Sequence, residues 1–158
     1  MLRFLLLLLI VPLFSACNRE GCTDVNASNY SEKAESDDGT CRYESDPFRG
    51  RWSISDSIQT NGILAFEEIR TLNVEINSLN RSKVTFFFQN ADGTRSDTLD
   101  ANATPNTLSV PLQPFRDSLQ IQGNFIYSLY KQTLKTEYRI SGFATGIVQR
   151  RGLGTKIE

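Results

Sequence analysis

The chain has 158 residues, with 17 Lys and Arg against 18 Asp and Glu, no histidine, and a formal charge of −1. That length holds one ordinary domain plus an appendage. The near-neutral balance argues against nucleic acid as a partner, and the lack of histidine removes the commonest general base and metal ligand.

At the N-terminus, Arg3 precedes an apolar run from Phe4 to Leu13, broken only by Pro12, and Phe14-Ser15-Ala16-Cys17 follows. A run this short, with charge before it and small residues after it, reads as an export signal; a membrane span needs about 20 apolar residues. Two small residues before a cysteine resemble the lipobox of bacterial lipoproteins. The resemblance implies that residues 1–16 are removed and that Cys17 is acylated at both its thiol and its new amino group. Several acyl chains, at about 0.8 kcal/mol per buried methylene, hold a protein to a membrane stably. The expected location is the bacterial cell envelope, outside the cytoplasm and at the outer membrane.

If Cys17 carries lipid, Cys22 and Cys41 remain, and an oxidising compartment would pair them. Closing a loop of about 20 residues is worth on the order of 3 kcal/mol on the chain-entropy model. Between these cysteines only Val25, Ala27, Tyr30 and Ala34 are apolar, so the segment cannot build a core without that link. Charge also breaks near Asp46-Pro47. Residues 18–47 carry eight acids against three bases, whereas residues 48–158 carry thirteen bases against ten acids. The expected organisation is a signal over 1–16, a lipidated, disulfide-closed irregular tether over 17–47, and a domain over 48–158.

Gly21-Cys22-Thr23-Asp24, then Ala27, Asn29, Tyr30, Ala34 and Asp37-Asp38-Gly39-Thr40-Cys41, resemble a short module of lipoproteins and secreted proteins from Bacteroidota-type bacteria. The resemblance implies an envelope setting more than a chemistry. It makes Asp24, Asp37 and Asp38 the candidates for a calcium site, since calcium takes six to eight oxygen ligands. The competing reading is that these acids cap turns through their own backbone and keep a tether soluble. No other cofactor is expected.

From Phe48 onward apolar residues recur with period two and turn signals follow every 8 to 15 residues. Trp52 to Asp56, Leu72 to Asn77, Lys83 to Phe88, Thr107 to Leu112, Asp117 to Ser128, Leu134 to Ile140 and Gly142 to Gln149 read as strands. Ala65 to Leu72 is either a short helix or a strand start, and Ala91-Asp92-Gly93 is a tight hairpin signal. The fold class is therefore all-β, an antiparallel meander closed into a small barrel or folded into a sandwich. Alternation points Trp52, Ile54, Val74, Ile76, Val84, Phe86, Phe88, Leu108, Val110, Leu112, Leu119, Ile121, Tyr138 and Ile140 inward. On this reading the inner face holds no acid and no base, only the Tyr138 phenol at its ordinary pKa of about 10.

Gly50-Arg51-Trp52 resembles the G-x-W that opens the first strand of lipocalins. The resemblance implies a lipocalin-like barrel whose Trp plugs the closed end beneath an Arg near the last strand, a place Arg150 or Arg151 would take. With no histidine and no titratable group on the inner face beyond a phenol, a non-catalytic protein is expected, one that binds a small apolar ligand, lined by Trp52, Phe86, Phe88, Phe125, Tyr127 and Tyr138, or an envelope partner. The alternative is a calcium-stabilised adhesive or structural surface protein with a solidly packed barrel. Carboxylate pairs such as Asp97 with Asp100, or Glu67 with Glu68, read as solvated turn residues.

Overall fold

The computed structural model describes residues 18–60, 62–116, 118–142 and 146–157, with the backbone alone at 65 and 66. The expected signal at 1–16 and the expected lipidation site Cys17 lie outside the described residues. The chain divides into a smaller unit that ends at Arg42 and a larger one that begins at Tyr43.

In the smaller unit, strand β1 (Glu20–Gly21) lies parallel to β2 (Ser36–Asp37), and a disulfide joins Cys22 to Cys41 with Cα atoms 4.8 Å apart. The residues of the cysteine-framed module hold this irregular chain together. The Asn29 side chain donates to Thr40 O at 2.8 Å and accepts from Arg42 N at 2.7 Å, clamping the second cysteine's segment. Gly39 sits at φ +73°, where a side chain would be strained.

In the larger unit, the 3-10 turn Asp46–Phe48 leads into eight antiparallel strands that form a closed barrel. They are β3 (Gly50–Thr60), β4 (Ile63–Ile76), β5 (Lys83–Gln89), β6 (Leu99–Thr104), β7 (Thr107–Phe115), β8 (Leu119–Ser128), β9 (Thr133–Gly142) and β10 (Gly146–Lys156). Each strand pairs with the next, and β10 returns to β3, so no sheet edge is left unpaired. The segment Ala65–Leu72 is strand within β4 and not helix. Asp92 Oδ1 accepts from Thr94 N at 2.9 Å, and Gly93 at φ +85° turns the chain after β5.

Eight strands leave an interior just wide enough for side chains to fill it or to hold one small ligand. Here aromatic rings fill most of it. Phe86, Phe88, Phe125 and Tyr138 touch one another with ring centroids 5.1 to 6.3 Å apart. Trp52 closes the end at which β3 begins. It is fully buried, its Nε1 donates to Phe48 O at 2.8 Å, and its ring meets Tyr127 edge-on. The cation over that ring is Lys156, 5.6 Å away, and not Arg150 or Arg151. Register decides this: Lys156 pairs with Trp52 across the β3–β10 ladder, whereas Arg150 pairs with Ile58 and Arg151 with Ser57, nearer the opposite end.

The inward face follows the expected alternation until β7. Val110 pairs with Gly123 but Gln113 pairs with Ile121, so one extra residue is inserted on β7. Pro111 has no N–H to offer a ladder, and a bulge accommodates it. The bulge reverses the alternation, leaving Leu112 56 % exposed against expectation and turning Phe115 inward. The Gln113 side chain bridges to β6, accepting from Asp100 N at 3.0 Å and donating to Asp100 O at 2.8 Å.

Candidate functional site

The expectation of an inner face without acid or base is overturned. Asp56 lies on β3 in phase with Trp52 and Ile54, and Arg70 lies on β4 in phase with Leu72 and Val74; both are buried. Thr136 and Tyr138 on β9 and Arg150 on β10 complete a network across four adjacent strands.

Asp56 is its centre and has no exposed surface. Its Oδ2 accepts from Tyr138 OH at 2.8 Å and from Arg70 Nη2. Its Oδ1 accepts from Thr136 Oγ1 at 3.3 Å, and Arg150 Nη1 stands 3.7 Å from Oδ2. A buried carboxylate is tolerable only when paired and hydrogen-bonded in this way. Gly152 makes room for it, because a Cβ there would lie 2.3 Å from Asp56 Oδ1 and 2.6 Å from Thr136 Oγ1.

Arg70 also donates to Tyr138 OH and lies 4.3 Å over the Phe88 ring, which stacks on Tyr138. Burial alone would lower the Arg70 pKa, but the acidic groups facing it, the Tyr138 phenol and the Asp56 carboxylate, outweigh that and raise the net value. Burial pushes the Tyr138 phenol well above its ordinary value. The expectation of an unperturbed phenol is corrected accordingly: Tyr138 keeps its proton and serves as a donor to Asp56.

Above this floor, towards the end where β5 leads to β6 and β7 to β8, lies a cavity of about 220 Å³. Its walls are Phe88, Phe115 and Ile140, and its charged lining is Arg70, Arg116, Arg150 and Glu68. Glu68 Oε2 accepts from Arg150 Nη1 at 2.9 Å and lies 3.5 Å from Arg70 Nε. Arg116 is held at φ +42°, its N–H donating to Asp97 Oδ2 at 2.9 Å. A larger groove of about 430 Å³ runs over the outer surface beside the β7 bulge, lined by outward residues such as Gln122, Arg139 and Gln149. Of the buried network, Tyr138 and Arg150 also border this groove, and Asp56, Arg70 and Thr136 do not.

Of the expected lining residues, Trp52, Phe86, Phe125 and Tyr127 belong to the filled interior, Tyr138 to the buried Asp56 network, and Phe88 alone to the cavity wall. Asp56 and Arg70 went unread in the sequence, Glu68 was read as a solvated turn residue and Arg150 as an arginine near Trp52, although alternation itself carried the signal. Asp56 continues the 52, 54 phase, and Arg70 and Glu68 continue the 74, 72 phase.

In the smaller unit, Asp24 Oδ1 accepts from Asn26 N at 2.9 Å, Asp37 Oδ1 from Gly39 N at 2.8 Å, and Asp38 Oδ1 from Thr40 N at 2.9 Å. The Thr40 hydroxyl and N–H hold the Asp38 carboxyl below its ordinary pKa. Among the described residues, no three of His, Cys, Asp and Glu gather as a metal-ligand set.

No protein-family model and no curated protein matches the chain. Among solved structures, a redesigned β-barrel is similar with a TM-score of 0.54 at 15 % identity, over 73 % of this chain and 96 % of that one. A crystal structure of Rv2717c from M. tuberculosis aligns at a TM-score of 0.46 and 10 % identity, over 72 % of this chain and 94 % of that one. At such identity the first likeness extends to the fold alone: the larger unit is a small β-barrel.

Proposed function

We propose that the protein is a cell-envelope lipoprotein, anchored through acylated Cys17, whose barrel binds a small ligand at one end and is not an enzyme. The anchor rests on the sequence: Arg3, the apolar run 4–13 and the small residues before Cys17. The Cys22–Cys41 disulfide fits an oxidising compartment. For the ligand, the carrying observation is the cavity of about 220 Å³ where arginines converge on Phe88, Phe115 and Ile140. A few converging polar groups in an otherwise apolar concavity is the usual form of a small-molecule site. Because rings fill the rest of the barrel, the ligand is confined to that end.

Mass spectrometry of the membrane-extracted protein should find an acylated N-terminus at Cys17; an unmodified thiol there would remove the anchor. For the ligand, thermal melting of the full-length protein is run against a panel of small amphipathic compounds. One present at a hundredfold its Kd stabilises by about 2.7 kcal/mol. The Ile140→Trp variant, which fills the cavity, should lose that gain while still melting cooperatively. A panel without any stabilising compound, or equal stabilisation of the Trp variant, would overturn the reading.

A further inference from the structure

We infer that the cavity takes a small organic anion, a carboxylate on an apolar body, and that Glu68 fills the carboxylate's place while the site is empty. This rests on the ligand-binding reading above and names its ligand class.

The first ground is charge. The lining holds Arg70, Arg116 and Arg150 against one carboxylate, Glu68. Asp56, beneath the floor, is already engaged by Arg70, Tyr138 and Thr136. Counting both acids, the site keeps a cationic excess of one. No carboxylate among the described residues lies within ion-pair distance of the Arg116 guanidinium. A cationic ligand would meet repulsion here, and a neutral one would desolvate guanidinium groups without compensation.

The second ground is geometry. A single oxygen, Glu68 Oε2, is shared by Arg150 Nη1 at 2.9 Å and Arg70 Nε at 3.5 Å. Those two guanidinium groups, on the strands that flank β3, define where a carboxylate oxygen belongs. Glu68 is 30 % exposed, near the end of the inward row on β4, so its side chain can leave to solvent. Asp56 cannot, being fully buried and held by several donors. An incoming carboxylate thus exchanges one charge-assisted pair for another and adds Arg116, with which Glu68 makes no ion pair.

The third ground is size. A cavity of about 150 Å³ holds a benzene ring, so about 220 Å³ admits one ring or a short alkyl chain with its carboxylate. Phe88, Phe115 and Ile140 would enclose the apolar body.

The test is calorimetric titration of the detergent-solubilised full-length protein at physiological salt, with detergent alone as the blank. The probes are benzoate and hexanoate beside their neutral amides. The acids should bind about tenfold or more tighter than the amides, the scale of one charge-assisted contact. Glu68→Gln should tighten the acids about threefold or more, and by more than it changes the amides. Arg116→Gln should weaken the acids about fivefold. Equal affinity for acid and amide would overturn the anion and leave the ligand-binding reading standing. Acid affinity unmoved by Glu68→Gln would overturn the stand-in role of that residue. Failure of every probe to bind would overturn both the inference and the reading beneath it.

Discussion

Gly152 stands opposite Asp56 across the β3–β10 ladder, so close that a Cβ on the glycine would lie 2.3 Å from the Asp56 Oδ1 atom. The barrel thus buries a carboxylate at full depth by removing the side chain beside it. Gly152→Ala should destabilise the barrel by about 2 kcal/mol, the scale of overpacking a filled interior. Urea unfolding followed by tryptophan fluorescence measures it. An alanine variant as stable as the parent would show that Asp56 does not need that space.

Asp56→Ala removes the acid that Arg70 Nη2 donates to, leaves this buried arginine only the longer ion pair to Glu68, and should cost about 3–5 kcal/mol. The double variant Asp56→Leu/Arg70→Met removes both charges and should recover at least half of that loss. Recovery stays incomplete, because Tyr138 and Thr136 lose an acceptor worth about 1 kcal/mol each. A double variant no better than the single one would mean that the ion pair is not the main source of the penalty.

Phe86 is fully buried among Phe88 and Phe125. Phe86→Ala should cost about 3–5 kcal/mol, the range for deleting a core aromatic. Chemical denaturation reads it, with a loss under about 1 kcal/mol counting against a solidly packed interior.

Burial raises the Tyr138 phenol above its unfolded pKa of about 10. Its stabilising contribution is therefore complete below pH ~10 and is lost as pH rises from there toward the folded value. Stability measured from pH 8 to 11 should fall less steeply at the alkaline end in Tyr138→Phe than in the parent. Parallel curves would argue that the folded state does not hold this proton more tightly.

Cys22 and Cys41 both lie in the unit that ends at Arg42. A thiol assay under denaturing, non-reducing conditions should find neither free. Cys41→Ser should release on the order of 3 kcal/mol of loop constraint within that unit. The melting temperature of the barrel should stay put, and a shift of several degrees would show that its stability depends on the bridge.

Period-two alternation from Trp52 to Ile140 made the all-β class legible, as a barrel or a sandwich, because a strand with one buried face must alternate whatever its partners are. The disulfide was legible by count, once one cysteine of three was assigned to lipid. At Leu112 the same rule failed, since Pro111 forces a bulge that shifts the phase by one residue. The inner charges were missed for a different reason. Asp56, Glu68 and Arg70 sit in inward phase, yet an isolated charge in a strand reads as solvent-facing, because burying it alone costs several kcal/mol.

By itself, then, the sequence determined the all-β class and the facing of most strands, since these depend on local periodicity. Only the tertiary structure decided the site. Asp56 and Tyr138 are 82 positions apart, as are Glu68 and Arg150. They meet because β10 closes the barrel onto β3, bringing β9 and its tyrosine within reach. No local signal records which charge will find its partner, and burial becomes affordable only after that closure.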